Sequence, residues 1–204
     1  MLRWGYFPET KTYDMDALFA AKEQAKGETA RAGEDASSPE KETSLLWAGR
    51  MLDWKHPETP LYVAKALKEE HIPFRLTMLG NGVMEDTLRD YARKNGLEGE
   101  VSFIGAKPPQ VVREYMEKAE IFLLCSDYRE GWGAVLNEAM NAGCAAVVSK
   151  GVGAEPFLYG CAGETPNMLP YASGDVAACL AQVKRLVGEK NAAFRRRVGE
   201  SAYR

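Results

Sequence analysis

The sequence predicts a Rossmann-like three-layer α/β/α domain, in which helices cover both faces of a parallel sheet. From Ser44 onward, short apolar runs alternate with longer amphipathic segments, a pattern typical of strand–helix–strand units. Hydrophobic residues make up 46% of the 204-residue chain, which is enough to form one core. Because crossovers between parallel strands are right-handed, the resulting sheet is Rossmann-like.

The apolar runs predict strands, and the amphipathic segments predict helices. The strands lie at residues 45–49, 74–80, 101–105, 121–126 and 144–150. The helices lie at residues 58–70, 84–96, 108–119, 133–143 and 173–190, and residues 191–204 are expected to continue helically. Gly96 and Gly143 end two helices, and Ser173 or Asp175 caps another. Residues 157–171 follow no regular pattern.

The N-terminal part of the chain has a different composition. Residues 20–43 are rich in Ala, Glu, Lys, Gly and Ser and contain no aromatic or branched aliphatic residue. Such a segment buries too little apolar surface to offset its ordering entropy, so we predict a flexible low-complexity segment. A marginal helix over residues 17–26 is the alternative. The folded domain is predicted to span residues 44–204.

Composition and charge exclude several classes of function. The formal net charge is −3, which argues against nucleic acid as the main partner. The sequence contains no apolar run of about 18 residues, the length a membrane span needs, and its N-terminus lacks the apolar core of a secretory signal. The four cysteines form no CxxC pair and join no histidine pattern. They therefore indicate structural thiols in a reducing, cytoplasmic setting.

Glycines and charged residues follow the predicted strands, at the edge where parallel sheets bind ligands. Arg50 and Lys55 place two cations at this edge. A helix that begins near Gly133 directs its free N–H groups and positive dipole end toward the same crevice. Two cations, a helix N-terminus and glycine loops together suit a pyrophosphate group.

Two glutamates flank this predicted helix start. Glu130 lies in the preceding loop, and Glu138 lies five residues inside the helix, about 7.5 Å along its axis. Carboxylates accept hydrogen bonds from paired hydroxyls, and a nucleotide sugar carries hydroxyls on both sides of its pyrophosphate. One glutamate for the ribose and one for the sugar is the simplest assignment.

Four segments resemble the donor-binding domain of retaining glycosyltransferases with the GT-B fold, the group 1 or family 4-like enzymes. The segment EGWGAVLNE, followed by AMNAGCAAVVS, resembles their E-x7-E element, and WAGRMLDWKHPE resembles their GR-x4-K element. LGNG and FIGAKPP resemble the loops after their second and third strands. The resemblance runs from about Ser44 to Asp175 in the same order as in the family.

The resemblance implies a role for each matching residue. Arg50 and Lys55 hold the donor diphosphate, Glu138 takes the ribose hydroxyls, and Glu130 contacts the donor sugar. The remaining residues implied to line the donor site are Gly80, Asn81, Ile104, Gly105, Ala106, Gly131, Trp132, Gly133 and Ala134. The family also implies that no metal and no other cofactor is needed, because cationic side chains and the helix end balance the charge of the leaving diphosphate.

The resemblance further implies that the chain is one half of a GT-B enzyme. Residues 1–19 resemble the linker that follows the N-terminal acceptor-binding domain, so that domain is the expected partner and the isolated chain is expected to be inactive. Phe194 with Arg195 to Arg197 suggests a surface for a membrane or a lipid-linked acceptor, although a solvated helix is the simpler interpretation.

Other functions remain open on the sequence alone. A non-catalytic nucleotide-binding subunit and a related nucleotide-sugar 2-epimerase both fit the same residues. A phosphorylase is disfavoured because no cofactor lysine in a longer domain is found. A nicotinamide dehydrogenase is disfavoured because no GxGxxG follows the first strand and no acidic residue ends the second. The sequence does not identify the sugar, the base or the acceptor.

Overall fold

The fold is built on a six-stranded sheet with the order β3-β2-β1-β4-β5-β8, in which every neighbouring pair is parallel. The structure is a computed structural model that describes residues 10–30 and 42–203. The strands of the sheet are β1 Thr43–Ala48, β2 Phe74–Leu79, β3 Val101–Gly105, β4 Ile121–Leu124, β5 Ala145–Ser149 and β8 Met168–Tyr171. A separate antiparallel pair is formed by β6 Cys161–Ala162 and β7 Thr165–Pro166.

Helices cover both faces of the sheet and confirm the three-layer prediction. They are α1 Met15–Ala30, α2 Thr59–Glu69, α3 Glu85–Lys94, α4 Pro109–Lys118, α5 Ala134–Asn141, α6 Glu155–Leu158, α7 Val176–Lys184 and α8 Ala192–Tyr203, with 3-10 turns at Asp53–Lys55 and Glu189–Asn191. Side chains along β1 alternate between two cores. Leu45 and Trp47 join the core beneath α2, α3 and α7, whereas Leu46 and Ala48 join the core beneath α4 and α5.

The strand order creates a switch point between β1 and β4. The chain moves outward from β1 to β3 and then returns to the other side of β1 with β4. In open parallel sheets, such a switch point at the carboxyl edge is where ligands usually bind. The segments after these two strands contain Arg50, Lys55 and Glu130.

The sheet has one strand more than the sequence predicted. Met168–Tyr171, in the segment without a regular pattern, pairs with β5 at the edge of the sheet. Its four residues include Pro170, which lacks an N–H group and favours an edge position. A run this short with a proline inside it gives little strand signal, which is why the pattern missed it.

The predicted long helix over residues 173–190 is shorter in the structure. It begins after Asp175, ends at Lys184 and is followed by a turn through Gly188 before α8. Arg195 of α8 is buried and forms an ion pair with Glu120, with Nη2 2.7 Å from Oε1. This pair fixes α8 at the amino edge of the sheet, opposite the predicted site.

A helix crosses the boundary predicted between residues 19 and 20. In α1, Leu18 and Phe19 are buried, and Lys22 is only 2% exposed. The Lys22 ammonium donates to the carbonyls of Met116 and Ala119, which anchors the polar part of the helix. Tertiary contacts thus extend the marginal helix that the sequence allowed over residues 17–26. Residues 1–9 and 31–41, where the rest of the predicted linker and flexible segment falls, lie outside the described residues.

The cap of α7 offers a direct test of the local folding rules. The Asp175 carboxylate accepts a hydrogen bond from the backbone N–H of Ala178 at 2.8 Å. Replacing Asp175 with alanine should lower the free energy of unfolding by about 1 kcal/mol and the Tm by about 2–4 °C. Calorimetry measures both values. Asp90→Ala is the control, because Asp90 forms an ion pair with exposed Arg93 and caps no helix; an equal loss in the control would contradict the capping role.

Candidate functional site

Three of the predicted loops meet through backbone contacts at the carboxyl edge. The Gly80 N–H donates to the Gly105 carbonyl at 3.0 Å, and the Met51 N–H donates to the Asn81 carbonyl at 2.8 Å. A Cβ atom on Gly80 would lie 1.8 Å from the Gly49 carbonyl oxygen, a distance that only glycine permits. The loops after β1, β2 and β3 are thus brought together as predicted from their glycines.

The loop after β5 packs against the loop after β4. The Gly153 N–H donates to the Gly131 carbonyl at 2.9 Å, and the Ala154 N–H donates to the Trp132 carbonyl at 3.1 Å. The Trp132 indole N–H donates to the Asn137 side-chain oxygen at 2.9 Å, while 46% of the residue stays exposed. These bonds fix the stretch between Glu130 and α5 in place.

An ion pair joins the segments that follow β1 and β4. The Lys55 ammonium donates to Oε2 of Glu130, and the Ser126 hydroxyl donates to the same oxygen at 2.8 Å. The side chains of Lys55 and Glu130 are only 15% and 9% exposed. The Lys55 ammonium also lies 4.5 Å from the centre of the Trp54 ring, a cation–π distance. Lys55 is therefore held from two sides at the switch point.

Further polar contacts fasten the same two segments. The Asp127 N–H donates to the Trp54 carbonyl at 2.9 Å, and Arg129 bridges Asp53 and Asp127 at 2.8 Å each. The Arg129 guanidinium lowers the pKa of Asp127 to about 2. Asp127 thus keeps its negative charge at neutral pH, and Arg129 stays bound to it.

Helix α5 begins at the crevice without a side-chain cap. Its N-cap residue is Gly133, in the left-handed region with φ 75°, and no side chain of the cap residue hydrogen-bonds the exposed end. The first N–H groups of a helix need partners outside the helix, and an anion is a good one. This end of α5 directly follows the loop that carries Glu130.

Comparison of the sequence with models of known protein families decides which family the chain belongs to. The model for "Glycosyl transferases group 1" matches residues 30–204. The chain belongs to the group 1 glycosyltransferases. The amylovoran biosynthesis glycosyltransferase AmsK of Erwinia amylovora is 30% identical over 111 residues, which are 52% of this chain and 27% of AmsK. The matched part of the chain therefore spans about a quarter of the length of this relative.

Solved structures show the same fold. The C-terminal domain of the group 1 glycosyl transferase LpcC from Francisella tularensis superposes with a TM-score of 0.71 at 18% identity, covering 89% of both chains. Anabaena HepE, solved in complex with UDP and glucose, has a TM-score of 0.68 at 16% identity and is covered over 50% of its length, against 95% of this chain. The domain thus has the fold of the C-terminal half of a GT-B glycosyltransferase.

Within this group 1 glycosyltransferase domain, Glu138 lies on α5 one turn beyond the start of the helix. Its carboxylate is half-buried, which raises its pKa, while the positive charge of Arg113 acts in the opposite direction. Among the described residues, no side chain or backbone group donates a hydrogen bond to this carboxylate. A half-buried acceptor without a donor is well suited to take hydroxyl groups from a ligand.

The other predicted site residues lie along the same edge of the glycosyltransferase domain. Arg50 follows β1 and is exposed, and within the described part of the chain its guanidinium forms no ion pair. Ile104 is half-buried against the core beneath α4 and α5, whereas Ala106 and Lys107 are exposed. The structure thus joins Lys55 directly to Glu130, while Arg50 follows β1, Ile104 lies near the end of β3 and Glu138 lies on α5.

The site residues predicted from the sequence do not include Ser126, Trp54 or Asp127. Ser126 is the second residue after β4, so the rule that ligands lie at strand ends had already pointed to its position. The same rule points to Asp127, the next residue, but not to its contact with the Trp54 carbonyl, which joins segments more than 70 residues apart in sequence. Within the described residues, 10–30 and 42–203, no group of three His, Cys, Asp or Glu side chains is placed to hold a metal ion. Reaction without a metal stays a prediction.

No helix among the described residues is long and apolar enough to cross a membrane. The predicted surface patch at residues 194–197 has internal contacts. Arg195 is buried against Glu120, and Arg196 pairs with Asp16 and Glu200. Membrane association through this patch stays a prediction, with two of its three arginines engaged in ion pairs within the domain.

Proposed function

We propose that this chain is the donor-binding half of a retaining glycosyltransferase that transfers a sugar from a nucleotide-sugar donor to an acceptor. The observation that carries the proposal is the Lys55–Glu130 ion pair at the switch point, beside the uncapped start of α5. A cation, a carboxylate and the first N–H groups of α5 on neighbouring segments support this proposal. A sugar diphosphate needs a partner of each of these kinds.

The cations and the helix end act on the leaving diphosphate. As the bond between the sugar and the diphosphate breaks, negative charge grows on the phosphate oxygens. Arg50, Lys55 and the N–H groups near Gly133 and Ala134 stabilise that charge from fixed positions, as the donors of an oxyanion hole do. Since they supply the positive charge themselves, we infer that the reaction proceeds without a metal.

The remaining residues bind the two ends of the donor. Glu138 accepts the ribose hydroxyls, Glu130 contacts the donor sugar, and the base lies against Ile104, Gly105 and Ala106. Gly80 and Asn81 line the crevice on the β2 side, and Gly131 with Trp132 lines it on the β4 side. The complex of HepE with UDP and glucose supports a donor of this chemical class.

Catalysis is proposed to need a second domain. The chain matches 27% of AmsK and covers 50% of HepE, so these relatives contain a further part that the match does not reach. We infer that an N-terminal acceptor-binding domain completes the site and that the isolated chain is inactive. Polysaccharide synthesis is the proposed setting, by analogy with the name of AmsK. A lipid-linked acceptor and a cytoplasmic location stay predictions.

Calorimetric titration of the chain with UDP, GDP and ADP tests the proposal. We expect one of the three diphosphates to bind with 1:1 stoichiometry, and the corresponding monophosphate to bind more weakly because it offers fewer charged oxygens. The binding diphosphate also names the base of the donor. Absence of binding by all three, both to this chain and to the two-domain protein, would contradict the proposal.

A further inference from the structure

Ser126 has a buried hydroxyl directly beneath the proposed donor site. The residue is 0% exposed, and its Oγ donates to Oε2 of Glu130 at 2.8 Å. The Lys55 ammonium donates to the same oxygen. Oε2 therefore has two donors of its own within the protein, one neutral and one charged.

The second oxygen of the Glu130 carboxylate has a different environment. Oε1 accepts no hydrogen bond from residues 10–30 or 42–203, although the side chain is only 9% exposed. An ionised carboxylate has about four acceptor positions, so Oε1 keeps its capacity for an external donor. Glu130 is thus able to hold Lys55 through one oxygen and a hydroxyl of a ligand through the other.

We propose that Ser126 is a positioning residue for Lys55, acting through Oε2 of Glu130, and that Glu130 meets the donor sugar through Oε1. The inference rests on the proposed function, because it assigns the diphosphate to Lys55. A lysine ammonium sits on a flexible four-carbon stem and has no preferred direction of its own. Fixed charge stabilises a growing anion better than charge that must first reorient. The Ser126 hydroxyl supplies this fixation by holding the carboxylate that holds Lys55.

The domain offers a matched control in Ser149. This serine is also 0% exposed and lies at the carboxyl end of the neighbouring strand β5. Its hydroxyl accepts the backbone N–H of Gly151 at 3.1 Å and forms no hydrogen bond with Glu130. Ser126→Ala and Ser149→Ala therefore remove the same buried group, but only the first affects the carboxylate beside Lys55.

The first measurement compares nucleotide affinities. The probes are the diphosphate that binds best among UDP, GDP and ADP and its monophosphate, titrated against the wild-type chain and both variants. In Ser126→Ala the ratio of diphosphate to monophosphate affinity should fall about tenfold, the scale of one hydrogen bond to a charged group. In Ser149→Ala the ratio should stay at the wild-type value. Ser126→Cys is a second variant, because a thiol is nearly as large as a hydroxyl but is a weak hydrogen-bond donor. It should behave like Ser126→Ala, and it keeps the test valid if the alanine variant folds poorly.

The second measurement observes the Lys55 ammonium without any ligand. An ion-paired ammonium with little exposure to water, as Lys55 has, exchanges its protons slowly and gives a resolved signal in ¹H–¹⁵N spectra tuned to lysine side chains. Ser126→Ala should shift and broaden the Lys55 signal, Glu130→Gln should abolish it, and Ser149→Ala should leave it unchanged.

The outcomes separate this inference from the proposed function. An unchanged affinity ratio together with an unchanged ammonium signal in Ser126→Ala overturns the positioning role, even if the wild-type chain binds a diphosphate. A wild-type chain that binds no diphosphate contradicts the proposed function. In that case the ammonium signal alone decides whether Ser126 holds Lys55.

Discussion

Replacing Lys55 with alanine should lower the kcat of sugar transfer by about 10²-fold, the cost of one donor in a charge-stabilising site. The ammonium is held by Glu130 and faces the Trp54 ring, so it is already in place when the diphosphate begins to leave. Its loss also leaves the Glu130 carboxylate, which is only 9% exposed, without a cation beside the developing negative charge. Steady-state release of the nucleoside diphosphate by the two-domain enzyme measures the effect, and Arg50→Ala is expected to act in the same direction.

Lys65→Ala is the control for this prediction. Lys65 lies on α2, is 42% exposed in its side chain and pairs only with Glu69 in the described residues. Its removal should leave kcat unchanged. A Lys55→Ala enzyme with wild-type kcat would remove Lys55 from the catalytic machinery, whereas equal losses in both variants would indicate a general effect of charge.

The framework of the domain followed from its sequence because the relevant signals are local. Strands β1 to β5 and helices α2 to α5 each show their own period of apolar residues, and turn residues such as Gly96 and Gly143 mark where helices end. Strand β8 shows no such period, since its pairing with β5 rather than its own composition makes it a strand. Helix α1 likewise depends on contacts with Met116 of α4 and with Ala119, the residue after α4. No local sequence pattern contains these contacts.

The candidate site, too, was predictable from the sequence only where its signals are local. Glycines and charges after each strand predicted which edge of the sheet carries the site, because parallel strands all end there. The sequence could not show that Lys55 and Glu130 are partners, since 75 residues separate them. Nor could it distinguish Ser126 from other serines, because its role depends on which carboxylate oxygen its hydroxyl reaches.

Replacing Glu138 with alanine should weaken binding of the nucleoside diphosphate by about 10²-fold. Two ribose hydroxyls would each lose a charged acceptor, and two such bonds together contribute roughly 3 kcal/mol, which corresponds to that factor. Calorimetric titration of the wild-type chain and the variant measures the change. Glu114→Ala, an exposed glutamate on α4, is the control and should bind as the wild type does.

The protonation state of Glu138 allows a second, independent test, which is the pH dependence of diphosphate binding. Half-burial raises its pKa above the ordinary 4.5, and Arg113 on α4 opposes that shift. The folded protein therefore binds this proton more tightly than the unfolded chain, so the contribution of Glu138 to folding stability falls as pH rises through the interval above 4.5. Ligand affinity should change in the opposite sense, because protonation removes an acceptor. As the pH is lowered from neutral toward 4.5, the wild-type chain should lose affinity for the diphosphate more steeply than Glu138→Ala does. Parallel pH profiles in the two proteins would show that Glu138 does not bind the ribose.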